Sequence, residues 1–368
     1  MAVLIAICAI LLILGVLWDA FETVILPRRV TRRLRLTSLV YRFTWGPYLM
    51  VARRIPHGSR RESFLSFYGP LALILLLMVW AGSLIMGFAL LHWAFGSRLF
   101  DPDGSAGFGT DVYMSGTTFF TLGLGDVIPR TPGERVVTVI EAGMGFGILA
   151  LVISYLPILY QAFSRREVNI SLLDARAGSP PSAVELLRRY GQSGNIQGLE
   201  NLLQSWETWA AELMESHLSY PSLAYFRSQH EHQSWVAGLA TILDVCALVM
   251  VGVDGASTQP ARLTFAMARH AAVDLSQIFY AHPDMNDPHN LRPVDIAALR
   301  AALAEAGVPL RDGEEANHKF EKLRGMYEPY VKALGDRLLM PLPPWIPPAN
   351  AIDDWQTSVW QHADAMPV

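Results

Sequence analysis

The six residues from Thr121 to Asp126 read Thr-Leu-Gly-Leu-Gly-Asp, a pattern that can supply a row of oxygen ligands to a cation. A dehydrated cation is held in such a site by backbone carbonyls, usually joined by a ring of hydroxyls. The strand that presents them alternates between conformations that residues with a Cβ tolerate poorly, so glycine is needed at alternate positions. The motif therefore predicts an ion path lined by Thr121, Leu122, Gly123, Leu124 and Gly125, with the threonine hydroxyl at its inner end.

Long apolar segments flank this motif and must position it. A helix crosses the roughly 30 Å hydrocarbon core of a bilayer in about 20 residues. Three segments are long and apolar enough, at residues 2–26, 68–96 and 136–164. A signal peptide is the alternative for the first segment, but its start carries no positive charge and no small-residue cleavage site follows. Non-helical backbone at membrane depth must be buried in protein or line water. We therefore predict an outer helix, a re-entrant pore helix with its loop, and an inner helix.

The motif and its flanking spans resemble the pore domain of potassium channels over residues 65–165. The filter in that family usually reads Thr-Val-Gly-Tyr-Gly-Asp. The resemblance implies potassium as the permeant ion, with Asp126, Thr117 and Tyr113 supporting the filter. Leu124 departs from the family because it lacks the aromatic ring that packs against the pore helix. It still provides the backbone carbonyl. One filter strand cannot encircle an ion, so the pore needs copies of the chain, and the resemblance implies a homotetramer.

Glu141 is the only ionisable residue between positions 136 and 164. A carboxylate inside a membrane is costly, so it is a candidate for a functional role. It either faces the water-filled cavity and attracts cations, or lies protonated behind the filter near Ser115 or Thr117. The alternative is a carboxyl group that is simply hydrogen-bonded between helices.

The third span also carries candidates for gating. Gly143 and Gly145 lie where the resembling channels place a hinge in the inner helix. Small residues equally permit close helix packing in membranes, so both interpretations stay open. Pro157 removes one helical hydrogen bond and is expected to kink the inner helix near a gate.

Charge is divided unevenly along the chain. Residues 1–166 carry 15 arginines and 9 acidic residues, whereas residues 167–368 carry 14 basic and 24 acidic residues. Ten arginines fall between the first two spans: Arg28, Arg29, Arg32, Arg33, Arg35, Arg42, Arg53, Arg54, Arg60 and Arg61. The positive-inside rule places them in the cytoplasm, with the amino terminus outside and the acidic half inside. We interpret the excess of arginine over lysine as a genomic composition bias, more often found in bacteria, so the expected location is the inner membrane.

The sequence divides into five predicted regions. These are an N-terminal transmembrane helix (1–26), a basic linker (27–63), the pore domain (64–166), a helical cytoplasmic domain (167–340) and a Pro-rich tail (341–368). The basic linker is predicted to contain an interfacial helix at 36–52. Helices of the cytoplasmic domain are predicted at 180–190, 196–218, 235–253, 262–280, 293–306 and 314–339. The segment 235–253 is nearly all apolar around Asp244, which fits a buried bundle helix or a fourth span. The expected fold is an all-α membrane protein.

Several functions are disfavoured by what the sequence lacks. It has no Gly-rich nucleotide-binding unit and no nucleophile–base constellation, so we expect no enzyme and no cofactor beyond permeant potassium. His230, Glu231 and His232 do not have a zinc-type spacing, so no structural metal site is predicted. Expected partners are other copies of the chain and membrane lipids but not nucleic acid, and the cytoplasmic regulator is unknown. The competing hypothesis is a membrane-anchored helical signalling or scaffold protein with a weakly selective or non-conducting pore.

Overall fold

The computed structural model describes residues 1–26, 35–97, 99–100, 104, 107–230, 232–253, 255–283 and 291–347, and the backbone alone of residue 196. Several predicted features therefore lie outside the described residues: Arg28, Arg29, Arg32 and Arg33 of the basic linker, Glu231, and residues 348–368 of the tail. The chain divides into two compact units, Met1–Gln161 and Ala162–Val368. Its regular structure is almost entirely helical, so the predicted all-α membrane fold is confirmed.

The first unit contains the elements expected of a pore. Its helices, in the described part of the chain, are α1 (Ala2–Ala20), α2 (Leu36–Ala52), α3 (Ser59–Ser66), α4 (Tyr68–Ala94), α5 (Phe108–Phe119) and the first part of α6 (Pro132–Ala177). A π-helical turn, Phe21–Ile25, prolongs α1. Strands β1 (Leu99–Phe100) and β2 (Ile128–Pro129) pair antiparallel and tie the start of the re-entrant segment to its end. The predicted outer, pore and inner helices are α4, α5 and α6.

Helix α1 packs along α4, where Gly87 makes room for Ile13. A Cβ at Gly87 would lie 2.6 Å from a side-chain carbon of Ile13. Near the end of α1, the buried Asp19 carboxylate accepts hydrogen bonds from the Trp80 indole (3.0 Å), the Thr37 hydroxyl (2.6 Å) and the Thr37 amide (3.1 Å). These bonds offset the cost of burying the charge and cap the start of α2. Asp19 therefore joins α1, α2 and α4.

Helix α6 is longer at both ends than the predicted span 136–164. It begins at Pro132 because Thr131 and Glu134 form a capping box, in which the Glu134 amide donates to the Thr131 hydroxyl (3.3 Å) and the Thr131 amide donates to the Glu134 carboxylate (3.3 Å). Proline suits the first helical position because its missing N–H would have no helical partner there. The helix then continues through Pro157 to Ala177, so one uninterrupted helix contributes to both compact units.

The second unit is a helical bundle. In its described part α6 is followed by α7 (Ala183–Gln192), α8 (Ile196–Ser219), a 3-10 turn (Pro221–Tyr225), α9 (Trp235–Gly252), α10 (Thr258–Ile278), α11 (Ile296–Glu305), α12 (Glu314–Gly325) and α13 (Glu328–Leu338). The prediction of a helix from 180 was wrong, because Ser182 is the N-cap and its hydroxyl accepts from the Glu185 amide. The prediction of one helix over 314–339 was also wrong. It is two helices, since Pro329 has no N–H to bond to the preceding turn.

Helix α9 lies in the core of this bundle. Among the described residues, four helical stretches are long and apolar enough to cross a membrane: Ala2–Ile25, Ser59–Ala94, α6 and α9. The apolar stretch of α9 is 89% buried inside the protein, whereas those of the other three are 22%, 39% and 11% buried. Its single charged residue, Asp244, accepts two hydrogen bonds from Arg292 (2.6 and 2.8 Å) and one from the Tyr327 hydroxyl. Of the two alternatives for 235–253, the structure has the buried bundle helix.

Candidate functional site

The pore helix α5 ends in a turn that leads directly into the predicted filter. The Leu122 amide donates to the Thr117 carbonyl (2.8 Å), and the Thr121 amide donates to the Thr118 carbonyl (2.9 Å). This pair of bonds is the Schellman pattern, which places a residue of positive φ directly after the helix. Thr121 occupies that place with φ 59°, although a residue with a Cβ pays about 1–2 kcal/mol for that conformation. The predicted filter therefore begins at a strained threonine.

Gly123 and Gly125 both have positive φ, at 57° and 77°. The sign of φ consequently alternates along residues 121–125, as the motif requires. A Cβ at Gly123 would meet no atom within 4 Å, so the backbone conformation and not a lack of space demands glycine there. The side chains of Leu122 and Leu124 are 61% and 62% exposed in the single chain. Packing of these two leucine side chains within the single chain therefore does not determine the backbone conformation of the segment.

The three residues expected to support the filter act through different groups. The Tyr113 hydroxyl donates to the Asp126 carboxylate (2.7 Å), which ties the residue after the filter to the pore helix. Thr117 acts through its backbone carbonyl, which accepts from Leu122, while its hydroxyl donates to the Met114 carbonyl within α5 (3.0 Å). Asp126 therefore has a phenol as its partner.

Glu141 lies behind the pore helix, the second of the two placements expected for it. Its side chain is fully buried, and Oε1 is hydrogen-bonded to the Ser115 hydroxyl of α5. Its Oε2 lies 3.8 Å from Nε2 of His92, a fully buried residue of α4. Three helices thus meet at this carboxyl group. His92 was missed in the sequence because a lone histidine near the end of an apolar helix carries no spacing signal.

Gly145 is a packing position in this structure. A Cβ built there would lie 2.0 Å from the backbone oxygen of Phe119, the last residue of α5. At Gly143 and Gly147 a Cβ would meet no atom within 4 Å. Pro157 lies inside α6, which continues on both sides of it. The two glycines named as hinge candidates therefore differ, since only Gly145 is required by a close approach between helices.

In the second unit, buried Arg166 fixes the last part of α6. Its guanidinium donates to the carbonyls of Leu223 (2.9 Å) and Phe226 (2.8 Å) and to the Glu167 carboxylate (2.9 Å). It also lies 3.3 Å from Nε2 of His217 in α8. Arg166 lies just after the predicted span 136–164, where a basic residue is a topology signal. Its role as an anchor depends on partners about 50 residues away, which no local pattern reveals.

His217 is neutral in this arrangement. Its Nδ1 lies 2.9 Å from the Leu213 carbonyl, so that nitrogen carries the hydrogen, and Nε2 accepts from Arg166 because a guanidinium can only donate. Burial, together with the positive charge of Arg166, holds the pKa of His217 well below its usual range. The contact between α6 and α8 therefore depends on an unprotonated imidazole.

The histidines of the second unit do not form a metal site among the described residues, where no group of three or more His, Cys, Asp or Glu side chains converges. Glu231 lies outside those residues. His270 is exposed and lies 3.9 Å from Asp274, one helical turn away. His270 thus has a local partner of its own.

Comparison with known proteins agrees with this geometry. Residues 71–162 match the model of a family described as an ion channel. The match indicates an ion channel. The predicted resemblance to a potassium-channel pore domain is thereby confirmed, and the matched segment runs from α4 through the filter into α6. The chain is also similar to the uncharacterized membrane protein YdjJ of Bacillus subtilis (strain 168), with 23% identity over 250 residues, 67% of this chain and 70% of the relative. No solved structure matches the chain at a comparable level of significance.

Proposed function

We propose that this chain is the subunit of a homotetrameric, potassium-selective channel whose conduction is regulated by its helical second unit. The observation that carries the proposal is the filter backbone, in which Gly123 and Gly125 hold positive φ within a Thr-x-Gly-x-Gly sequence. Such a strand can present successive carbonyls to a dehydrated cation. The end of the pore helix points the partial negative charge of its last carbonyls toward the same region, which favours a cation.

The assembly part of the proposal rests on surfaces that one chain leaves exposed. A single strand cannot surround an ion, so the filter needs strands from other copies. Large apolar side chains of α6 are exposed in the single chain, among them Val139, Phe146, Leu149 and Ile153. Lipid and neighbouring subunits would cover these side chains, and fourfold cyclic symmetry would bring four filters to one axis.

Regulation would act through the continuity of α6. The same helix follows the filter in the first unit and is anchored by Arg166 in the second. A change in the bundle would act on the Arg166 anchor of this helix. The proposed topology has the amino terminus outside the inner membrane of a bacterium and the second unit in the cytoplasm, since Arg165, Arg166 and the arginines after the first span would then lie inside.

Potassium flux through the purified protein in liposomes tests this function. Wild type is expected to conduct, and Gly123→Ala is expected to lose conduction because its backbone needs positive φ, which costs about 1–2 kcal/mol with a Cβ. Gly109→Ala is the matched control, since it adds a Cβ to the pore helix where no atom lies within 4 Å and φ is not positive. Equal flux from both variants would refute the filter assignment. A wild type without flux would support the scaffold or signalling alternative.

The mass of the purified particle tests the assembly separately. Native mass spectrometry in detergent is expected to give four copies of the 40.8 kDa chain. A stable monomer or dimer would contradict the tetramer.

A further inference from the structure

Four titratable side chains are buried behind the pore helix, and the proposed conduction path uses none of them. They come from the three helices that meet there: His92 from α4, Asp111 from α5, and Glu134 and Glu141 from α6, each with no exposed surface. Ionisable groups in a membrane protein are costly to bury and are functional candidates for that reason. Their contacts decide which of them can exchange a proton.

Two of the four have hydrogen-bond partners outside the pair of His92 and Glu141. Asp111 accepts a hydrogen bond from the Ser97 hydroxyl (2.6 Å) through one oxygen, while its Oδ1 has no hydrogen-bond partner among the described residues, and Glu134 belongs to the capping box that starts α6. His92 and Glu141 face each other. Neither ring nitrogen of His92 has a hydrogen-bond partner among the described residues, and Oε2 of Glu141 has none either. Their separation of 3.8 Å is short enough for an ion pair and too long for a hydrogen bond.

The hydroxyl of Ser115 constrains the number of protons in this cluster. It contacts the Ile85 backbone oxygen of α4 (2.8 Å) and Oε1 of Glu141. A hydroxyl has a single hydrogen to donate, whereas a carbonyl and an ionised carboxylate can only accept. Both contacts are satisfied together only if Glu141 is protonated and donates to Ser115, which in turn donates to Ile85. Deprotonation of Glu141 leaves the two acceptors competing for one hydrogen.

The cluster is linked to the filter through the pairing of α5 and α6. Glu141 contacts Ser115, and one turn further along both helices Gly145 contacts Phe119, the last residue before the turn into the filter. A change in the bond between Glu141 and Ser115 therefore acts on the helix whose end positions Thr121. His92 contributes from α4, on the opposite side of the carboxyl group.

We propose that the buried pair of His92 and Glu141 holds a single proton, which resides on Glu141, and that this proton positions the pore helix and so controls opening of the filter. The proposal rests on the proposed channel function. With the proton on Glu141, the pair is a carboxylic acid beside a neutral imidazole and carries no net charge. Loss of that proton leaves a bare buried carboxylate whose Oε2 lies 3.8 Å from His92. Gain of a second leaves a buried imidazolium with a neutral neighbour. Both the unprotonated and the doubly protonated pair are disfavoured in this buried cluster, so the two groups titrate as a unit.

Single-channel recording of the full-length protein at a series of pH values tests the proposal. The wild type is expected to show a bell-shaped dependence of open probability on pH at constant unitary conductance. A pKa difference of one unit between the open and closed states changes their ratio about tenfold. Glu141→Gln is expected to lose the alkaline limb, and His92→Gln the acid limb, because each removes one of the two titrating groups. The matched control is His270→Gln, which changes an exposed histidine outside the pore. This variant should keep the bell-shaped dependence of open probability on pH.

A flat wild-type profile, or superimposable profiles for wild type and His92→Gln, would overturn the proposal. Infrared spectroscopy supplies a measurement that does not need a conducting protein. The C=O stretch of a protonated carboxylic acid should be present in wild type and absent in Glu141→Gln. In His92→Gln the pH at which this band disappears should be shifted. No difference between wild type and Glu141→Gln in that band would also overturn it. Absence of current at every pH, with the infrared band present, would refute the channel function and leave the proton on Glu141 standing.

Discussion

The backbone oxygen of Phe119 lies so close to Gly145 that a Cβ at this glycine would come within 2.0 Å of it. The contact joins the end of the pore helix to the inner helix, one turn beyond the hydrogen bond between Ser115 and Glu141. The two helices therefore meet in register, with Ser115 opposite Glu141 and Phe119 opposite Gly145. This register sets the position from which the filter starts.

Gly145→Ala is expected to displace the pore helix and abolish conduction. The new Cβ can avoid the Phe119 carbonyl oxygen only if backbone moves, and overpacking of this kind costs about 1–3 kcal/mol. The measurements are potassium flux in liposomes and the thermal unfolding midpoint of the full-length protein. Gly143→Ala is the control, because its Cβ would meet no atom within 4 Å. If the two variants behave alike, close packing at Gly145 does not restrict the pore.

Leu124→Tyr is expected to raise the permeability ratio of potassium over sodium. The leucine side chain is 62% exposed in the single chain and lacks the aromatic ring of the usual filter sequence, so a ring there can add packing around the filter. Reversal potentials in mixed potassium and sodium solutions measure the ratio. Leu122→Val, the change toward the usual residue at the neighbouring position, serves as the control. An unchanged ratio in Leu124→Tyr would mean that other contacts already hold the filter.

Stability of the second unit is expected to fall in acid because of His217. Its folded pKa lies well below the ordinary value, through burial and the charge of Arg166, so the folded state stays neutral while the unfolded state gains a proton below about pH 6.5. The unfolded state then binds more protons, and the free energy of unfolding falls by up to about 1.4 kcal/mol per pH unit as pH drops. Thermal unfolding of the full-length protein at several pH values measures this slope.

His217→Gln should reduce that acid sensitivity, because glutamine does not titrate. His270→Gln should leave it unchanged, since His270 is exposed and pairs only locally with Asp274. The assignment to His217 fails if both variants lose stability in acid as steeply as wild type.

The helices that flank the predicted filter could be predicted from the sequence because their signals are local. Alternating glycines after Thr121 reflect backbone conformation, and both glycines have the positive φ that was expected. Long apolar runs reflect membrane thickness, and each predicted pore helix is present. The residues of the filter path remain predictions until an ion is observed there.

Long-range partners were beyond the sequence. Glu141 was singled out, yet its partner His92 lies 49 positions earlier on another helix, and nothing in its local pattern indicates the contact. Asp244 made the bundle helix α9 resemble a membrane span interrupted by a charge. The ion pair that stabilises this buried charge is formed with Arg292, 48 positions away, so no local pattern indicates it. Gly145 could not be told from Gly143, since only the approach of Phe119 distinguishes them. Helices α6 and α7 start at Pro132 and Ala183 and not at the predicted 136 and 180, because Thr131 and Ser182 cap them.

The reversal potential of the purified wild-type protein, with potassium on one side of a planar bilayer and sodium on the other, tests the central claim most directly. A potassium-selective filter at Thr121–Gly125 predicts a current that reverses far from zero, on the side set by potassium. The same current should disappear in Gly123→Ala. Reversal at zero millivolts would contradict potassium selectivity, and a wild-type protein that carries no current would contradict the channel itself.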